Sequence, residues 1–291
     1  MDLTKNSSAR PVRYSPRSGF TILELSVVMS IMGVMLGMIL PAINSARETA
    51  RNIQCVNHLH QIGIALYNYH NTHSRLPAGW RDDSSRQTAF GWGASILPFL
   101  DELALYSKID FDSSIDHINN RSALDFTPSV FRCPSDIGDK SFTLYKEHGH
   151  ESGGTSSKTV LINLPSANYI AVFGKSDPDD VPGDSGEGAF IANRFMRFAD
   201  IQKGLSNTLL VGERTSRKLS ATWIGLLVKG EDAPGRLVGN TFFGPNRVDA
   251  DECEFDSRHL GHTNFLWGDG RVKSISDSVD MMTYRKFSSR Y

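Results

Sequence analysis

The chain has 291 residues, is 40% hydrophobic and 22% charged, and carries a net charge of −1, a balance ordinary for a globular protein. That charge, with no basic run beyond the N-terminus, supplies no long-range attraction for nucleic acid, and no nucleic-acid-binding module is present. Three cysteines, Cys55, Cys133 and Cys253, allow at most one intramolecular bridge, and with no CxxC pair neither a zinc ribbon nor a thioredoxin-like site is suggested. In chain order, residues 1–18 come first: polar, with Pro11 and Pro16, and with Lys5, Arg10, Arg13 and Arg17 against Asp2 alone. They read as an unstructured leader. Residues 19–40 (GFTILELSVVMSIMGVMLGMIL) follow, and no charge occurs from Leu25 to Ala46, roughly the ~20 residues an α-helix needs to cross a bilayer. The upstream cations place the N-terminus in the cytoplasm and the remainder outside. The one acid in this stretch, Glu24, costs on the order of 2.5–3.5 kcal/mol on insertion scales and so calls for a partner.

This stretch resembles the N-terminal signature of type IV prepilins and pseudopilins. The resemblance implies that a prepilin peptidase/methyltransferase cuts between Gly19 and Phe20 and methylates the new N-terminus at Phe20. It also implies that Glu24 neutralises the N-terminus of a neighbouring subunit as a filament assembles. Spacing alone shows only that a carboxylate lies about one helical turn from residue 20. A plain membrane anchor and an ordinary cleaved signal stay open as readings, the latter with only the poor site Asn44-Ser45-Ala46 to offer.

Beyond the apolar run, about 245 residues remain, ample for one large domain. Pro41 removes one helical hydrogen bond and predicts a kink. Ile53, Val56, Leu59, Ile62, Leu66 and Tyr69 recur every three or four residues, opposite Arg51, Asn52, Asn57, His58, Gln61 and Asn68. That is an amphipathic helix with one buried stripe; continuous from residue 20 to about 70, it would be roughly 75 Å long. Leu76-Pro77-Ala78-Gly79 ends it. Short helices are expected at 102–109 and 119–126, and an extended piece meeting a turn at 130–136. A polar stretch at 151–158 and an acidic, turn-rich one at 176–188 read as loops. Strands are expected at 159–164, 168–173, 208–213, 222–228 and 241–243. Residues 263–267 and 271–275 flank Gly268-Asp269-Gly270, a strong hairpin signal. The expected fold is α+β: one long N-terminal helix packed on a mainly antiparallel sheet.

Several stretches together resemble one family of prepilin-type proteins, that of domain of unknown function 1559, whose members end in an H-x9-D-G motif. Here the motif is His259, nine residues, then Asp269-Gly270. Other matching stretches are RNIQCVNHLHQIGIALYNYH (with His58 and His60 where the family usually has Asn and Lys), Gly91-Trp92, Ile96 to Leu100, Cys133-Pro134-Ser135-Asp136, Asn168-Tyr169 and IQKGLSNTLLVGE. Cys55 and Cys133 both fall at family positions, and a disulfide between them is expected, worth about 4–5 kcal/mol on the chain-entropy estimate; two buried free thiols are the alternative.

Each chemical candidate has a plainer reading beside it. His259 and Asp269 could form a catalytic or metal pair, or His259 could hydrogen-bond the hairpin while Asp269 and Gly270 supply its turn. No G-x-S-x-G occurs to supply a nucleophile. Asp177, Asp179, Asp180, Asp184 and Glu187 offer only oxygen donors, which suits calcium, or they are a solvated loop. His58, His60, His70 and His73 lie on or just after one helix without an evident fourth zinc ligand. Acidic neighbours should make Cys253 a poor nucleophile. Trp80, Trp92, Trp223 and Trp267 line either a carbohydrate platform or the core.

The reading that follows divides the chain into a leader (1–19), the transmembrane half of a helix (20–46), its amphipathic half (47–75) and an exported head (76–291). It is a structural, non-enzymatic subunit of a type IV pilus or type II secretion-like pseudopilus, single-pass in the inner membrane, with the head periplasmic or extracellular and sibling pilin-like subunits as partners. The rivals are a membrane-anchored module binding a glycan or other ligand without filament formation, and an enzyme using His259 and Asp269.

Overall fold

The structure is a computed structural model and describes residues 19–83, 85, 87–147 and 159–291. The leader and the polar stretch 151–158 expected from sequence lie outside these residues, apart from Gly19. The chain divides into two compact units, Met1–Arg47 and Glu48–Tyr291.

One helix, α1 (Ile22–His73), runs through the apolar and the amphipathic stretches and continues through Pro41. It is long and apolar enough to cross a membrane. In the first unit its large apolar side chains, from Ile22 to Ile43, are exposed. In the second unit its inner face is buried, at Cys55, His58, Leu59, Ile62, Gly63, Ala65, Leu66 and Tyr69. The stripe differs from the expected one at Ile53, which is 56% exposed. The buried row starts instead at Cys55, two residues or about 200° further round the helix. His58, placed by pattern on the wet side, belongs to this buried face.

The remainder is β-rich. A three-stranded antiparallel sheet joins β1 (Trp80–Asp82), β2 (Thr88–Gly91) and β7 (Gly225–Leu227). A two-stranded sheet pairs β3 (Ser141–Tyr145) with β4 (Val160–Pro165). The central sheet has five strands in the order β10-β9-β6-β5-β8: β5 is Tyr169–Gly174, β6 Leu209–Glu213, β8 Val238–Asn240, β9 His262–Trp267 and β10 Val272–Ser276. All its pairings are antiparallel except β5 with β8. Short helices α2 (Trp92–Ile96), α3 (Leu103–Tyr106), α4 (Arg121–Leu124) and α5 (Met281–Phe287) complete the set. This is the α+β, pilin-like arrangement expected.

Both faces of the central sheet are buried, as strand alternation allows. Tyr169, Ala171 and Phe173 of β5 and Leu266 of β9 pack into the main core with Cys55, Leu59, Ile62 and Leu66 of α1. Ile170, Val172, Phe265 and Trp267 point the other way, into a second cluster with Phe255 and with Tyr284 of α5. Contact between α1 and β9 is close enough that a Cβ on Gly63 would lie 2.8 Å from Leu266 Cδ1. All four tryptophans are buried; Trp92 and Trp223 donate their indole N–H to the carbonyls of Leu237 and Phe126. They are core residues and form no exposed platform.

The hairpin β9–β10 forms where Asp-Gly predicted it. Gly270 takes φ +83°, a conformation open to glycine, and Asp269 Oδ1 accepts the Arg271 N–H at 3.2 Å. The strand expected at 241–243 falls instead at β8, just upstream, where it pairs parallel with β5. The extended piece expected at 130–136 begins with a 3₁₀ turn, Ser129–Phe131.

Candidate functional site

Two regions gather several of the residues singled out by sequence, while the acidic loop, the hairpin turn and most of the helix histidines belong to neither. The first is the start of α1. Thr21 caps the helix: its N–H and its hydroxyl both donate to Glu24 Oε2 at 2.9 Å, and the Glu24 N–H donates back to Thr21 Oγ1 at 3.3 Å. This reciprocal capping box satisfies N–H groups that a helix end leaves free. The T-x-x-E signature was available in the sequence and gives Glu24 a local role. Further along, Gly33 and Gly37 have nothing within 4 Å of a notional Cβ. They form a G-x-x-x-G face on an apolar helix, the kind that lets two such helices approach closely.

The second region lies wholly within Glu48–Tyr291, where α1, the Cys133-Pro134-Ser135-Asp136 turn, the end of β6 and the segment before β9 meet. Ligand-type atoms of Cys55, Cys133, Glu213 and His259 all lie within 4.8 Å of one another, and all four residues are buried. His259 Nε2 is 3.8 Å from Cys133 Sγ and 3.6 Å from Glu213 Oε1. Its other nitrogen, Nδ1, is 2.8 Å from Glu48 Oε1, a carboxylate oxygen that can only accept, so Nδ1 carries a proton. Glu48 Oε1 also accepts from Ser135 Oγ at 2.9 Å, and Glu48 Oε2 pairs with Arg51 at 2.7 Å.

Neighbours hold each member in place. The Cys133 N–H donates to Asn168 Oδ1 at 3.0 Å, and Asn168 Nδ2 donates to Asp136 Oδ2 at 2.7 Å. Asp136 also accepts from the N–H and hydroxyl of Ser216 and faces Arg258. Burial acts to raise its carboxyl, but the bonds from Asn168, Ser216 and Arg258 hold it below the usual range. Glu213 accepts from the Asn264 backbone N–H at 3.0 Å and from Asn264 Nδ2 at 3.1 Å. Tyr169 Oη reaches the Cys55 carbonyl and His58 Nδ1, each at 3.4 Å.

The electrostatics follow from this crowding. Burial acts to lower the His259 imidazolium, but Cys133, Glu213 and Glu48 outweigh it and raise it to about 10. The Cys133 thiol, hydrogen-bonded to Cys55, is drawn down to about 6 despite burial, with His259 adding to the effect. Cys55, on the other side of the same contact and itself buried, is pushed up. Within the group, then, the Cys133 thiol is the one drawn toward the thiolate and the Cys55 thiol the one held back from it.

Cys55 and Cys133, expected to pair as a disulfide, are brought together by the structure, where both are buried free cysteines. His259 and Asp269 do not form a pair. Asp269 sits in the hairpin turn with Arg271, 2.6 Å away, while His259 bonds α1 through Glu48 and makes no hydrogen bond to the hairpin strands. Glu213 was missed. It closes an apolar strand and reads as its polar terminus, and only the fold brings it beside the cysteines.

The acidic loop does not gather its carboxylates around one point. Asp177 Oδ1 accepts the Asp179 N–H, and Asp177 groups with Asp251 and Cys253. Asp179 takes the Cys253 thiol at 3.0 Å, while Asp180 and Asp184 are exposed. Burial, with help from nearby Asp251, raises Asp177 to about 7. Burial first, then Asp179, pushes the Cys253 thiol far up, in keeping with a poor nucleophile. The helix histidines are spread out: His70 stacks on Phe198 and His73 on Tyr69, with ring centres 4.1 and 4.2 Å apart, and His60 is exposed. A cleft of about 500 Å³ beside them is lined by Tyr69, Phe99, Tyr106 and Phe111 together with Arg75 and Arg81.

A family model described as "Protein of unknown function (DUF1559)" matches residues 44–282. A second, described as "Prokaryotic N-terminal methylation motif", matches residues 14–40. No curated protein and no solved structure matches the chain.

Proposed function

The chain belongs to the DUF1559 family and opens with a prepilin-type methylation motif, and from that premise we propose that it is a structural subunit of a type IV pilus or type II secretion-like pseudopilus. In this reading a prepilin peptidase/methyltransferase cuts after Gly19 and methylates Phe20. The protein is then held by one helix in the inner membrane, with the head, residues 76–291, on the periplasmic or extracellular side.

The observation that carries the reading is the first half of α1. Every large apolar side chain from Ile22 through Ile43 is exposed, around a single carboxylate at Glu24. Such a surface has no place in water, and lipid or sibling helices are the environments that fit it. Gly33 and Gly37 suit close packing of two such helices. Cleavage creates an ammonium at Phe20, one turn from Glu24, and exchange of that ammonium between neighbours would offset the cost of carrying a carboxylate into the membrane. The head contributes surface and, in this reading, no catalysis.

The test is in-cell cross-linking through cysteines placed in the first half of α1. Glu24→Ala is expected to abolish cross-linked oligomers while the monomer stays in the membrane. Oligomers at the wild-type level in that variant would remove Glu24 from assembly, and a wild-type chain that gives no cross-linked oligomers would favour the rival, an anchored module that binds a ligand without assembling.

A further inference from the structure

The buried group at Cys55, Cys133, Glu213 and His259 belongs to the unit Glu48–Tyr291, apart from the apolar half of α1, and its spacing is informative. A gap of 3.6 Å between His259 Nε2 and Glu213 Oε1 is too long for a sound hydrogen bond. Around a tetrahedral zinc ion, with bonds of about 2.0–2.3 Å, neighbouring ligand atoms stand about 3.3–3.8 Å apart. The 3.6 Å gap and the 3.8 Å gap between His259 Nε2 and Cys133 Sγ are each within about 0.3 Å of the edge expected for their own donor pair. The four atoms come from four distant points of the chain and converge within 4.8 Å.

We propose that Cys55, Cys133, Glu213 and His259 form a closed structural zinc site that fastens the amphipathic half of α1 to the sheet. Two thiolates and an imidazole are a soft donor set, which selects zinc over calcium or magnesium. The surroundings are those a metal-bound histidine needs: Nε2 faces the group while Nδ1 donates to the Glu48 carboxylate at 2.8 Å. Asn168 holds the Cys133 backbone and Asn264 holds Glu213. All four positions are protein ligands, so no open place is left for water or substrate, and the role is structural. A disulfide would use only the two sulfurs and leave the buried Glu213 and His259 facing each other without a shared partner.

The experiment measures metal in the full chain, purified in detergent without chelator. Elemental analysis should find about one zinc per chain, with Cys55 and Cys133 unreactive to thiol reagents until a chelator is added. Chelation should lower the melting temperature, and zinc, but neither calcium nor magnesium, should restore it. Cobalt in place of zinc should give a thiolate charge-transfer band. Cys133→Ser and His259→Gln should lose the zinc, whereas Cys253→Ser should keep it. Should either ligand variant fail to fold, chelation and refilling of the wild-type protein still decide the matter. Metal-free wild-type protein that takes up no zinc, or peptide mapping that finds Cys55 joined to Cys133, would overturn the proposal.

Discussion

Glu24 has two physical roles open to it, and one substitution separates them. As the third helical residue of a capping box it needs only an acceptor oxygen, which glutamine also provides. As the counter-charge to a neighbour's N-terminus it needs its ionised carboxylate. We predict that Glu24→Gln fails to assemble just as Glu24→Ala does, read by the same cross-linking; wild-type assembly in the glutamine variant would reduce Glu24 to a cap. A second residue-scale prediction concerns Asp177, raised to about 7 by burial and by Asp251. Its folded value lies above its unfolded one, so between about pH 4 and 7 the unfolded chain releases a proton that the folded chain retains. Stability is therefore lost as pH rises through that window, and the loss is complete above it. Asp177→Asn should leave stability unchanged near pH 3 and raise it by about 1–2 kcal/mol at pH 8, after allowing for solvent screening. Denaturant melts at the two pH values check this, and an equal effect at both would contradict it.

At the level of elements, the join between α1 and the sheet bears most of the weight. Leu59, Ile62 and Leu66 are fully buried against it. Leu59→Ala should cost about 2–5 kcal/mol, as large-to-small changes in a packed core do; calorimetry or a denaturant melt showing less than 1 kcal/mol would mean that this face is loosely packed. The helix was legible because its pattern persists over many turns, yet its phase was not: Ile53 resembles a core residue until the fold shows the buried row starting at Cys55. The hairpin at Asp269-Gly270 was legible from turn chemistry alone. Strands β1 and β2 were not, being three and four residues long, too short for alternation to show. The cluster was half legible. Cys55, Cys133 and His259 stood out by resemblance, but Glu213 and Glu48 are ordinary acids until long-range folding puts them beside a ring. Of the two readings open for His259 and Asp269, turn geometry describes Asp269, which sits with Arg271, while His259 meets Glu48 of α1: the strand between them carries the two residues to different surroundings.

For the molecule as a whole, the claim is a division of labour. An apolar helix half, written in local sequence and readable without a fold, is long and apolar enough to cross a membrane, and in the proposed reading it meets copies of itself there. A β-rich head, whose buried polar group only the fold reveals, is fixed to the other half of that helix. In the proposed reading the division rests on processing, because a cut after Gly19 would remove the cations at Lys5, Arg10, Arg13 and Arg17 and create the amine for Glu24 to answer. The most direct test is mass spectrometry of the mature N-terminus in the native host. The account predicts a first residue of N-methylated Phe20; a chain that still begins at Met1, or one that begins at Arg47, would contradict it.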